Sequence, residues 1–168
     1  MKKLKSIFCL FLCVVLMVSV CACSSADDYV SVTKENLLEV YNCLLEGDKE
    51  KLKGMLCEAL QNEDDVDEQI DAFMEGIGGE IKSGDTDDCV IGSTSRSRDY
   101  GENFGEWTSL YAFAEMHNIV DNNNEEYSSL NIHYTYEDKN HPEKKGITRI
   151  TLHQNSYTPT FKIGLNEN

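Results

Sequence analysis

The spacing of apolar residues changes period halfway along the chain. In the front half they recur at intervals of three and four, and Leu37, Leu38, Val40, Tyr41, Leu44 and Leu45 make one stripe of a helix. Thr33 is its expected N-cap, with Asn36 three residues on, and Gly47 its expected stop. Asp48 then caps a second helix, from about Lys49 to Ala59, which offers Leu52, Met55, Leu56 and Leu60 to the core. The acidic run Glu63-Asp64-Asp65-Val66-Asp67-Glu68 opens a third helix through Ile70, Phe73, Met74 and Ile77. Carboxylates there oppose the positive end of the helix dipole, so this charge run has a structural role. Gly76, Gly78 and Gly79 end the pattern.

The back half is strand-like. Asp88 to Ser95 and Trp107 to Ile119 are strand candidates, the second rich in aromatic residues. Leu130, Ile132, Tyr134 and Tyr136 alternate strictly, as in a half-buried strand. A polar stretch from Glu137 to Gly146 with Pro142 predicts a hairpin loop, after which Thr148, Ile150 and Leu152 alternate again. Thr160 to Ile163 is a last short strand. Helices first and antiparallel strands second predict an α+β fold, with N-terminal helices packed on a curved antiparallel sheet.

The first residues follow neither pattern. A basic start, Met1-Lys2-Lys3-Leu4-Lys5, precedes an apolar run from Ile7 to Val20 and then Val20-Cys21-Ala22-Cys23. This is the layout of an export signal. At about 14 residues, roughly 21 Å as a helix, the run is too short for a hydrocarbon core of about 30 Å. The cut site is similar to the lipoprotein pattern Leu-(Ala/Ser/Thr)-(Gly/Ala)-Cys, with Cys21 at a less usual position. The expectation is a signal peptide over residues 1–22, a lipidated Cys23 with a tether over 23–32, and one α+β domain over 33–168. Acyl chains such as palmitate on Cys23 would hold the protein to the extracytoplasmic face of the cell membrane, since two chains suffice for stable anchoring. The alternative is an ordinary cut near Ala26 that releases the protein.

Composition narrows the partners. The chain has 15 Lys and Arg against 30 Asp and Glu, a net charge of −15, and removal of Lys2, Lys3 and Lys5 with the signal takes it to −18. Such a surface repels nucleic acid and anionic lipid. Of the seven cysteines, Cys9, Cys13 and Cys21 leave with the signal and Cys23 is the lipid site, so Cys43, Cys57 and Cys89 remain. An odd number without CxxC spacing argues against a disulfide scaffold or a metal site and favours buried thiols.

Several segments combine into a resemblance. The helical hairpin LLEVYNCLLEGDKEKLKGML, the helix DEQIDAFMEGIGGEI and the strands YSSLNIHYTYED and KGITRITLHQ follow one another in that order. With the Gly-Ile-x-x-Ile-x-Leu motif at Gly146 to Leu152 and Lys-Ile-Gly at Lys162 to Gly164, this resembles an uncharacterised lipoprotein family of Gram-positive gut bacteria with a nuclear-transport-factor-2-like cone. The resemblance covers about Thr33 to Gly164. It implies a sheet curled round a pocket bounded by the helices. The family has no established activity, so no catalytic residue carries over, and fold alone does not fix function.

The candidate sites each have a plainer reading. His133 and His153 fall between the apolar positions of their strands and so face away from whatever those positions pack on. Asp121-Asn122-Asn123-Asn124-Glu125-Glu126 offers oxygen ligands but lacks the central Gly and distant Glu of a calcium loop; a turn is the commoner use of such residues, and the same holds for Asp85 to Asp88. Tyr100, Phe104, Trp107, Tyr111 and Phe113 are either core filling, the commoner role, or a ligand surface, and Trp107, Tyr111 and Phe113 are the candidate ligand-binding residues. Arg96 and Arg98 either pair with neighbouring acids or recognise an anion. No Gly-x-Ser-x-Gly is present. These features favour a non-enzymatic lipoprotein that binds a small molecule or a protein partner without a cofactor. An enzyme using acid–base chemistry in the cone cavity, and an envelope self-immunity or interaction protein, remain the alternatives.

Overall fold

The computed structural model describes residues 24–92, 95–98, 107–154 and 158–165, with the side chains of 24–28, 95–98, 107 and 108 outside that description. The expected signal peptide and Cys23 therefore lie outside the described residues. The chain divides into two compact units, Met1–Val32 and Thr33–Asn168. Among the described residues no helix is long and apolar enough to cross a membrane.

Helix α1 spans Ser24–Glu46 and supplies the described residues of the first unit as well as the opening helix of the second. Thr33 is thus no cap. It lies buried within the helix with its hydroxyl bonded to the Tyr136 phenol. Neither Pro nor Gly occurs between Ser24 and Val32, and Asp27 and Asp28 suit the positive helix end, so the stretch expected as a tether is helical in backbone. Gly47 does end α1, at φ 66°, and the Asp48 carboxylate accepts from the Lys51 N–H at 2.9 Å.

The expected second helix is split into α2 (Lys49–Met55) and α3 (Glu58–Gln61). Between them Leu56 and Cys57 are extended, and the Cys57 N–H donates to the Ile147 carbonyl at 2.8 Å. Local pattern could not reveal this break, because a long-range backbone hydrogen bond causes it. Gly146 makes room for it: its φ is 119°, and a Cβ there would sit 3.3 Å from the Cys57 Cα. Helix α4 (Val66–Gly76) follows, and its Gln69 ties the layers together. The amide nitrogen of Gln69 donates to Asp65 and its oxygen accepts from the Gly164 N–H, both at 2.9 Å.

Among the described residues six strands form one antiparallel sheet: β1 (Ile81–Ile91), β2 (Ser95–Arg98), β3 (Trp107–Asp121), β4 (Glu126–Asp138), β5 (Gly146–His153) and β6 (Phe161–Gly164). The order is β1-β3-β4-β5-β6, and β2 pairs β3 on the same edge as β1. Strand β1 begins at Ile81, well before Asp88. Its first half, Lys82 to Asp88, lacks apolar alternation because most of it lies exposed at the sheet edge, with three register shifts against β3. Acidic side chains and irregular pairing on an edge discourage addition of another chain.

One core joins the layers. Met116 and Ile119 of β3, Leu130 and Ile132 of β4, Ile150 and Leu152 of β5 and Ile163 of β6 pack with Leu37, Val40 and Leu44 of α1 and with Ile70, Phe73 and Met74 of α4. The result is the expected α+β arrangement, helices covering one face of an antiparallel sheet, and it is compatible with a curved sheet. Two glycine substitutions should move stability in opposite directions. Gly146→Ala, strained at positive φ and pressed on Cys57, should lower it by about 1–3 kcal/mol. Gly54→Ala, on an exposed turn of α2 with nothing within 4 Å, should raise it by about 0.5–1 kcal/mol. Urea unfolding of both variants reads the two signs directly.

Candidate binding site

Strand alternation sends the residues between core positions to the face opposite the helices. Register then aligns them in rows. Phe113 of β3 pairs with His133 of β4, His133 with Arg149 of β5, and Arg149 with Gly164 of β6. The next row is Glu115, Asn131, Thr151 and Lys162, and a third runs His117, Ser129, His153. The first two rows, less Glu115 and Gly164 and with His153 and Pro159 added, line a half-open groove of about 530 Å³. That volume is within the range of small-molecule sites.

The lining is unlike the rest of the surface. Among the described residues it holds Arg149, Lys162 and two of the four histidines, and no carboxylate, in a chain with twice as many acids as Lys and Arg. Glu115 shares a row but is not part of the lining; its carboxylate lies 4.0 Å from His117 Nδ1. The aliphatic stems of Arg149 and Lys162 converge over Gly164, where a side chain would crowd both. The Phe113 ring lies on the bare backbone of Gly92 and stacks with the His133 ring, centroids 6.3 Å apart and 30° between planes. His153 Nε2 is 3.1 Å from the Thr151 hydroxyl. Asn131 Nδ2 donates weakly to Ser129 Oγ at 3.4 Å, and Asn131 Oδ1 is the one buried side-chain N or O among the described residues that has no hydrogen-bond partner.

The sequence-predicted residues divide accordingly. Phe113 joins the groove and Tyr111 stands beside it on the same face; at 39% and 40% exposed they are not core, which corrects the commoner reading for these two residues. Trp107 lies in β3 opposite Arg98, but its side chain, like those of Arg96 and Arg98, is outside the described residues, as are Tyr100 and Phe104 entirely. His141 sits on an exposed loop 3.3 Å from Glu143. Asn131, Arg149, Thr151 and Lys162 were missed. Each occupies an off-core strand position, but only register shows that they meet.

The acidic segments behave as turns. Asp121 is fully buried, accepts the Glu125 N–H at 2.8 Å and the Tyr127 hydroxyl at 3.2 Å, and so closes the β3–β4 hairpin. Asp85 accepts the N–H groups of Asp87 and Asp88 at 3.1 and 3.2 Å. Burial, then the adjacent Asp121 charge, pushes the Tyr127 phenol up to about 12. Cys43 and Cys57 are buried, Cys89 is half-buried, and burial raises all three thiols, which keeps them protonated and weakly nucleophilic.

Helices over one face of an antiparallel sheet and a cation-lined groove on the other define an α+β domain with a ligand-sized cleft on the side away from its core. By sequence the chain belongs to the family of the domain of unknown function DUF5104, which it matches over residues 39–157, more than two thirds of its length. The match takes in the groove residues from Phe113 to His153 and stops short of Pro159 and Lys162. No curated protein matches the chain.

The buried Asp121–Tyr127 pair gives a pH signature. Because the folded phenol holds its proton more tightly than a free tyrosine, its contribution to stability is complete below pH about 10 and is lost as pH rises through about 12. Asp121→Ala should cost about 1–3 kcal/mol through the lost hydrogen bonds. It should also let Tyr127 ionise earlier, a shift that alkaline absorbance titration of variant against parent will register.

Proposed function

We propose that the protein is a lipid-anchored extracytoplasmic binding domain that engages its ligand with the outer face of its sheet. Support for the anchor comes from the sequence: the basic start, the short apolar run and the Val20-Cys21-Ala22-Cys23 cut site. Support for binding comes from one observation, the groove on β3–β6, which combines a ligand-sized volume with a lining that among the described residues includes Arg149 and Lys162 and no carboxylate. The inner face, where a cone would hold its pocket, is given over to packing α1 and α4. The Thr151–His153 pair is the residue pair in the groove that an enzyme could use, but a half-open cleft suits holding a ligand better than acid–base chemistry, which needs a water-excluding site.

Both parts have direct tests. Cys23→Ala should abolish acylation and release the protein from membranes; full retention and normal processing in that variant would remove the anchor from the account. For the binding part, the full chain extracted from membranes should carry a non-covalent ligand or partner, seen by native mass spectrometry, that Phe113→Ala loses. Retention of the same species by Phe113→Ala would place binding elsewhere.

A further inference from the structure

The helical layer carries a sulfur pair that the groove does not involve. The chain has five methionines, Met1, Met17, Met55, Met74 and Met116. Of the three among the described residues, Met74 and Met116 lie inside the core at 1% and 0% exposed, while Met55 is half-buried and packs against it. The Met55 thioether accepts the S–H of the fully buried Cys43 at 3.6 Å. A thioether sulfur has two lone pairs; Cys43 takes one, and the other remains for an electrophile. The thiols compete poorly for an oxidant, because peroxide reacts with thiolate and burial keeps Cys43, Cys57 and Cys89 protonated. A thioether has no proton to lose first. Met55 also occupies a sensitive place: it is the last residue of α2, directly before the extended Leu56–Cys57 pair whose Cys57 N–H bonds Ile147.

We propose that Met55 is an oxidation site of the domain, converted by peroxide to one sulfoxide epimer that its contact with Cys43 selects. The free lone pair of the sulfur attacks one peroxide oxygen, the O–O bond breaks and an S–O bond forms. The proton on the transferred oxygen passes to the departing hydroxide, so the sulfur loses two electrons and the peroxide ends as water. Oxygen adds on the side away from Cys43, which fixes the configuration at sulfur. The product is polar where the thioether was apolar. Standing against the core at the α2–α3 break, it loosens this corner of the helical layer. A sulfoxide reductase specific for that epimer reverses the change. Neither the groove nor the lipid anchor enters this chemistry.

The test treats the full chain in detergent with hydrogen peroxide at neutral pH and maps the product by peptide mass spectrometry. Oxygen should appear at Met55 roughly tenfold faster or more than at Met74 or Met116, since access governs the rate. Two reductases of opposite epimer specificity should then divide sharply, one restoring nearly all of the Met55 sulfoxide and the other nearly none. The same chain oxidised in urea should react alike at all three sites and give both epimers. Cys43→Val, which removes the donor, should turn the folded product into a mixture; if that variant fails to fold, the folded chain against the urea-treated chain still decides. Oxidised protein should unfold at lower urea than untreated protein, and peroxide should leave the midpoint of Met55→Leu unmoved. Equal rates at the three methionines of the folded chain, an epimer mixture from it, or an unchanged urea midpoint after oxidation overturns the assignment.

Discussion

The pleat of β3, β4 and β5 is the constraint on which the rest depends. Every second residue of these strands is committed to the helices, and the buried set includes Met116, Leu130, Ile132, Ile150 and Leu152. Each such side chain contributes about 1.5–3 kcal/mol on leaving water. A slip of one residue would move that whole set to solvent and bring Arg149, His133 and Asn131 against α1 and α4. Burying an unpaired charge is too unfavourable for that alternative to compete. The register that satisfies the core therefore also decides which side chains stand together on the outer face, and the groove inherits its membership from the packing behind it.

The helical layer is held to this sheet at points that backbone groups define. Cys57 bonds Ile147, interrupting what would otherwise be one helix, and Gln69 reaches from α4 to Gly164. Gly146 and Gly164 recur at these contacts, the first pressed by Cys57 and the second by the stems of Arg149 and Lys162. Docking of the helices and shaping of the groove thus draw on the same ends of β5 and β6, from opposite faces.

Electrostatics gives the groove its contrast. The chain as a whole carries −15, a field that disfavours anions at long range. At physiological salt the Debye length is about 8 Å, so charges beyond the cleft are largely screened while groups within it are not. An acidic exterior of this kind favours solubility of the chain.

Local pattern was a good guide where local physics ruled. The stripe from Leu37 to Leu45, the Gly47-Asp48 punctuation, α4 and the alternation of β4 and β5 all lie where their spacing predicts, because a helix period or a pleat is a property of neighbouring residues. It failed where distant parts intervened. The helix expected to the end of Ala59 breaks at Leu56 for a distant partner, Ile147, and β1 hides its first half in a polar edge. The aromatic residues Tyr111 and Phe113 read as core by composition but stand on the open face, since alternation around Ala112 and Ala114 leaves them no other side.

The sequence by itself determined the order of helices and strands, the acidic surface and which strand residues avoid the core, since these follow from charge and periodicity within short windows. Only the tertiary structure decided that Phe113, Asn131, His133, Arg149, Thr151 and Lys162 form one cleft. They come from four strands, and their meeting is set by the pairing register, which depends on burial across the whole sheet.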